Sequence, residues 1–298
     1  MLNCKICENP GISIFSFSYN SPVLTIFLEN YYQDHCKEMQ ALLKDKSYNI
    51  LMCKSCQFMW QKFIPSENFL KLLYEKFIDK KSSFQKYLDN NNKFKNNFTY
   101  QIKNFLFLIH KRNLGKIKIL DYGSGWGGWI NIAKKYSPNI DGLEFSDSKK
   151  NYLLSNNINI ITFDDLKKKK LYYDFIRCEQ VLEHLSNLNE FFKLVRNITN
   201  IDGYLYLGVP NSSKLFKNID NINLFLKKGP AQPLEHLNSF TPKSLDKLAG
   251  KYGFKRISIL YIFQMYLSRN WFSFKNFKNL INNISNQTLN TVRIYQKK

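Results

Sequence analysis

Apolar and polar positions divide the chain into three stretches of different rhythm. Up to about residue 62 the apolar residues alternate in short runs, as in Ser13-Ile-Phe-Ser-Phe-Ser-Tyr19, which predicts strands joined by loops. From about 65 to 113 the spacing is helical. Pro65-Ser-Glu-Asn68 reads as a helix start, and Phe69, Leu70, Leu72, Leu73, Phe77 and Ile78 form one apolar face. Ile102 to Ile109 carries another, with the polar Asp89 to Asn97 between them as a loop. From residue 116 short apolar runs alternate with helical segments. Strands are predicted at Ile117–Leu120, Ile140–Glu144, Ile158–Thr162, Phe175–Cys178, Tyr204–Val209, Phe254–Ile262 and Thr291–Tyr295. Helices are predicted at Trp129–Tyr136, Lys149–Ser155, Leu188–Ile198 and Pro242–Tyr252. Such alternation predicts an α/β fold, a doubly wound and mainly parallel seven-stranded sheet. An aromatic and basic insertion at about 263–290, with Trp271, Phe272 and Phe274 among Arg269 and Lys275, interrupts the last strands. It suits a helical cap, a lid over an acceptor, or a peripheral membrane contact.

The segment with most chemical content is Ile119-Leu-Asp-Tyr-Gly-Ser-Gly-Trp-Gly-Gly128, joining a strand to a helix. Its glycines allow a tight turn and close approach of backbone to a ligand. Gly123, Gly125 and Gly128 satisfy GxGxxG, which admits a dinucleotide. Asp121 weighs against that. A carboxylate beside the turn repels pyrophosphate and suits a ligand carrying an ammonium and a sulfonium. Glu144, at the end of the next strand, is placed to accept hydrogen bonds from ribose hydroxyls and fits a nucleoside of either kind.

These residues resemble the first and second motifs of class I S-adenosylmethionine (SAM)-dependent methyltransferases, a Rossmann-like family. Asp174-Phe-Ile-Arg-Cys-Glu-Gln-Val-Leu-Glu-His-Leu185 is similar to that family's fourth-strand segment, and Gly203-Tyr-Leu-Tyr-Leu-Gly-Val-Pro-Asn211 to its fifth. Glu235-His-Leu-Asn-Ser-Phe-Thr-Pro-Lys-Ser-Leu245, running on to Tyr252-Gly-Phe254, resembles the subgroup with small-molecule and sugar substrates. The resemblance covers roughly residues 115–262. It implies that Asp121, Gly123 and Gly125 line the methionine part of SAM, that Glu144 holds the ribose, and that Glu179 and Gln180 lie beside the sulfonium. Asp164 and Asp165 compete for the adenine, with Asp164 preferred. It further implies a nucleotide sugar or surface-polysaccharide sugar as acceptor.

Cys4-Lys-Ile-Cys7 and Cys53-Lys-Ser-Cys56 are matching CxxC pairs. Two such knuckles complete a tetrahedral thiolate site, so Cys4, Cys7, Cys53 and Cys56 are the expected ligands of a structural Zn²⁺ with no open position. Cys53 to Gln61, continuing to Glu75, resembles the zinc-binding head that precedes methyltransferase domains in sugar-modifying proteins. The long insertion between the knuckles, with Tyr31, Tyr32, Asp34, His35 and Cys36, departs from that pattern. The expected organisation is a zinc-binding module at 1–62, a helical linker at 63–113 and a SAM-binding domain at 114–298.

A chain of 298 residues, 44% hydrophobic and 16% aromatic, sustains a large core. Its net charge of +21 invites an RNA or DNA methyltransferase as the alternative. The lysines are dispersed, however, and no Asn-Pro-Pro-Tyr-like segment follows the fourth strand. An NAD-dependent oxidoreductase is the second alternative. Met1-Leu-Asn-Cys-Lys5 lacks an export pattern, and Ile12–Leu28 is too short and polar to span a bilayer, so the cytoplasm is the expected compartment. If the acceptor is a hydroxyl, a base must take its proton. His236, in the loop after Pro233, is the first choice and His184 the second, each against the plainer role of a hydrogen-bonded structural histidine.

Overall fold

The protein is described here by a computed structural model, covering residues 2–89, 95, 98, 99, 101, 102, 105, 108, 114–168, 170–258 and 290–298. His110 and nearly all of the insertion at 263–290 lie outside these residues.

The larger sheet is built as the apolar runs require. Strands β4 (Ile119–Tyr122), β5 (Ile140–Leu143), β6 (Tyr173–Glu179) and β7 (Thr199–Pro210) run parallel, while β10 (Asn290–Lys297) is antiparallel to both β7 and β9 (Phe254–Arg256). Across the sheet the order is β5-β4-β6-β7-β10-β9. The order reverses at β4, so the crevice at the carboxyl ends of β4 and β6 is where a ligand fits. Helix α8 (Leu188–Ile198) closes one face by burying Leu188, Phe191, Phe192, Val195 and Ile198.

The larger sheet has six strands among the described residues where seven were expected. Ile160 makes only an isolated parallel bridge to Gly142. The reason is local. Thr162 N–H donates to Asp165 Oδ2 at 3.0 Å and Asp165 N–H to Thr162 Oγ1 at 3.0 Å, a reciprocal cap that starts helix α7 (Phe163–Lys168) before the strand can extend.

The N-terminal residues form a second, four-stranded antiparallel sheet, β1 (Ile12–Ser18), β2 (Ser47–Met52), β3 (Met59–Gln61) and β8 (Asn238–Ser239), in that order. Helices α1 (Pro22–Tyr32) and α2 (Cys36–Leu42) pack on it through Leu24, Phe27, Leu28 and Met39. Its fourth strand is supplied by the far end of the chain, so the head and the larger domain are sewn together. Their cores are continuous as well, with Phe58 stacked on Trp60 and 5.2 Å from Phe240 between ring centres. Between the two, Ser66 caps helix α3 (Glu67–Leu72) by accepting from Phe69 N–H, as its sequence requires. A π turn over Leu73–Phe77 and helix α4 (Lys80–Asp89) follow. No helix among the described residues is long and apolar enough to cross a membrane.

Candidate cofactor and acceptor site

Strand β4 ends in the glycine turn. Gly123 and Gly125 have φ of +83° and +57°, in the left-handed region that glycine adopts without penalty. A Cβ at Gly123 would lie 2.3 Å from Val181 Cγ2, whereas one at Gly125 would meet nothing within 4 Å. The turn is fastened to β5: Gly123 and Ser124 N–H both donate to the Leu143 carbonyl, at 2.8 and 2.9 Å. Glu144 is the buried anchor of the same loop. Its Oε2 accepts from Gly125 N–H at 2.8 Å, and its Oε1 from Phe145 and Ser146 N–H at 2.9 Å each.

A cavity of about 1190 Å³ opens over the turn. Gly123, Gly125, Arg177, Glu179 and Gln180 form its floor, and Trp126 and Trp129 one side. The opposite wall comes from residues 30–35, the insertion between the two cysteine pairs, together with 75–83, Lys228 and Glu235. Gln180 holds a positive φ of 57° at the exit of β6, the kind of backbone strain that collects at working sites.

Asp121 does not face this cavity as expected. It is fully buried, its Oδ1 accepts from Arg177 Nη1 at 2.8 Å, and its Oδ2 has no partner among the described residues. Burial raises its pKa while the guanidinium opposes the rise. Arg177 donates with Nη2 to Glu179 and with Nε to Gln101 Oε1 at 3.2 Å, and it lies 5.2 Å from the ring centre of Trp129. Arg177 escapes notice in the sequence because resemblance draws the eye to its neighbours. The available signal was a lone cation inside the apolar run Phe175–Cys178, which burial allows only with a counter-charge. Asp164 stands apart from the cavity. It is exposed in the first turn of α7, 3.9 Å from Lys168 Nζ.

His184 and His236, 52 positions apart, are brought together with ring centres 4.9 Å apart. His184 Nδ1 lies 2.8 Å from the Glu235 carbonyl oxygen and 3.0 Å from Tyr74 Oη, and His236 Nδ1 has no partner among the described residues. Burial lowers His184 to about 4 and His236 to about 3, so both imidazoles are neutral at pH 7. Beside them Glu183 is buried with both oxygens unpartnered among the described residues, and burial pushes it up to about 8. Glu183, His184 and His236 do not line the cavity; the neighbouring Glu235, whose carbonyl oxygen meets His184, does. It accepts from Tyr32 Oη at 2.8 Å and from Gln232 Nε2, and burial raises its pKa. Tyr32 comes from the inter-knuckle insertion, which the sequence left without a role.

The four cysteines converge. Cys4 and Cys56 sulfurs are 3.5 Å apart, Cys7 and Cys53 sulfurs 3.4 Å, and all four lie within 4.8 Å of one another as free thiols. A zinc–sulfur bond of about 2.3 Å places tetrahedral sulfurs about 3.8 Å apart, so the set fits such an ion. The two knuckles match bond for bond. Cys4 N–H donates to Asn9 O and Cys53 N–H to Phe58 O, both at 2.8 Å, and Glu8 and Gln57 hold φ of 63° and 65°.

The sheet order and the cavity over its switch point are those of a doubly wound fold with room for a ligand at the carboxyl ends of β4 and β6. A family model described as a methyltransferase domain matches residues 91–259, over half of the chain. The chain belongs to the methyltransferase family. Over 99 residues it is 34% identical to the ubiquinone biosynthesis O-methyltransferase of Rickettsia akari (strain Hartford); the match spans 30% of this chain and 39% of that enzyme. Among solved structures, the plantazolicin methyltransferase BamL, in complex with a triazolic desmethylPZN analog and SAH, aligns with a TM-score of 0.53 at 11% identity, over 77% of this chain and 94% of that one. A SAM-dependent methyltransferase from Archaeoglobus fulgidus aligns at 0.44 with 16% identity, over 78% and 100%. The likeness to BamL is one of fold.

Proposed function

We propose that this chain transfers a methyl group from SAM to a hydroxyl of a small acceptor of sugar type, in a reducing compartment such as the cytoplasm, with a structural zinc in its head. The observation that carries the reading is the cavity itself. It is lined by the glycine turn with Glu179 and Gln180 and also by Glu235, whose backbone carbonyl meets His184 of the buried Glu183–His184–His236 cluster. SAM would supply an electrophilic methyl group; Gly123, Gly125 and Gln180 would hold its methionine end, and Glu144 its ribose.

The chain's own work is to align the acceptor and hold its proton. Tyr32 and Gln232 both donate to Glu235 Oε1, an arrangement that fits the ionised carboxylate, while burial makes that carboxylate more basic than usual. Glu235 lines the cavity and takes the proton, while the neutral His184 and His236 hold the loop that carries it. The printed name of the Rickettsia akari relative, an O-methyltransferase, favours oxygen as the acceptor atom. Head strands hold the loop carrying these groups: Gln61 Nε2 donates to the carbonyls of Gln232 at 3.0 Å and His236 at 2.9 Å. A zinc that fixes the head therefore also fixes the acceptor wall.

The test compares His236→Ala and Glu235→Gln. Each is expected to lower turnover by about 10²–10⁴-fold, the usual worth of a positioned base, with S-adenosylhomocysteine (SAH) affinity nearly unchanged. Full turnover in both variants would remove the base from this cluster.

A further inference from the structure

We propose that Arg177 receives the α-carboxylate of the cofactor's methionine end, and that Asp121 is a positioning residue acting through it. The inference rests on the SAM reading above.

Asp121 and Arg177 are register partners on β4 and β6, and Asp121 is two residues before Gly123. Asp121 is fully buried and does not line the cavity, whereas Arg177 does. The guanidinium is held from three sides. Nε donates to Gln101, Nη1 to Asp121 and Nη2 to Glu179, and the plane lies within 6 Å of the ring centres of Phe98, Trp129 and Tyr206. Of its five N–H groups these bonds use three. One on Nη1 and one on Nη2 have no acceptor among the described residues, which leaves two donors for a carboxylate.

Charge supports the same assignment. One carboxylate would suffice to neutralise a buried guanidinium, yet Asp121 and Glu179 both contact it. Asp121, Glu179 and the guanidinium together carry one net negative charge, with the cation fixed between the two carboxylates. The amino-acid end of the cofactor is a zwitterion, and it fits that pair of poles: carboxylate to Arg177, ammonium to Glu179. Asp121, buried behind the guanidinium, fixes where the cation sits.

The experiment measures binding by calorimetry to the full chain and to Arg177→Met and Arg177→Lys variants. Because Arg177→Met leaves a buried carboxylate unpaired, the double variant Arg177→Met/Asp121→Asn is included. Three probes are used: SAH, decarboxylated SAM (ammonium, no carboxylate) and 5′-methylthioadenosine (neither). Arg177→Met and the double variant are expected to weaken SAH by about 10- to 100-fold, as loss of a charged hydrogen-bonded pair does, and Arg177→Lys by less. Methylthioadenosine and decarboxylated SAM are expected to bind the variants within about two-fold of wild type, since neither has the group Arg177 holds. Equal losses for SAH and methylthioadenosine would reduce Arg177 to a structural part, and unchanged SAH binding would remove the assignment. Wild-type protein that ignored all three probes would overturn the SAM reading and this one with it, and is told apart by needing no substitution.

Discussion

Glu183→Gln should change how stability depends on pH, by an amount the structure sets. The Glu183 carboxyl is fully buried without partners among the described residues, and burial moves it from 4.5 to about 8. Between those values the folded chain keeps a proton that the unfolded chain has released. The stability contributed by this group is thus whole below pH 4.5 and is lost as pH rises through about 8, at about 1.4 kcal/mol per pH unit. His184 and His236 act in the opposite direction. Their folded values, about 4 and about 3, lie below 6.5, so their contribution is present above pH 6.5 and lost as pH falls. Above pH 6.5 only the Glu183 slope remains among these three, and below it the two histidines outweigh it. The three groups together place a stability maximum near pH 6.5. Urea denaturation followed by circular dichroism, in half-unit steps from pH 6 to 8.5, reads the effect. Relative to wild type, Glu183→Gln should gain about 2 kcal/mol between pH 6.5 and 8, because the amide carries no proton to lose. Parallel curves for the two proteins would refute the reasoning.

Gly123→Ala and Gly125→Ala share a left-handed backbone cost of about 1–2 kcal/mol, but only the first also drives a methyl group to 2.3 Å from Val181. Gly123→Ala should therefore melt lower than Gly125→Ala in thermal denaturation, and equal melting would mean that Val181 yields freely. Metal analysis of purified protein should find about one zinc per chain, lost together with several degrees of melting temperature in Cys53→Ser; metal-free protein of undiminished stability would rule the ion out.

The sequence made the sheet legible because its strands are continuous apolar runs, and made the turn legible because only glycine tolerates φ of +83° there. Spacing also found the four cysteines, since two thiolates three positions apart on one knuckle reach one ion. What it left hidden depends on long-range packing. The lost seventh strand turned on Thr162 and Asp165 preferring a reciprocal cap, and β8 joined the head's sheet from a position 177 residues beyond Gln61, the difference of 238 and 61. Asp121 was read as facing a ligand because its partner, Arg177, is 56 positions away. Likewise the Tyr32–Glu235 bond spans 203 positions, so no local pattern announces that the inter-knuckle insertion reaches the acceptor wall.

The most direct measurement is titration of the full chain with SAH and, separately, with NAD in a calorimeter. Saturable one-to-one binding of SAH with no heat from NAD is the expected result for a cavity built to take a sulfonium nucleoside. Saturable NAD binding with none of SAH would contradict it.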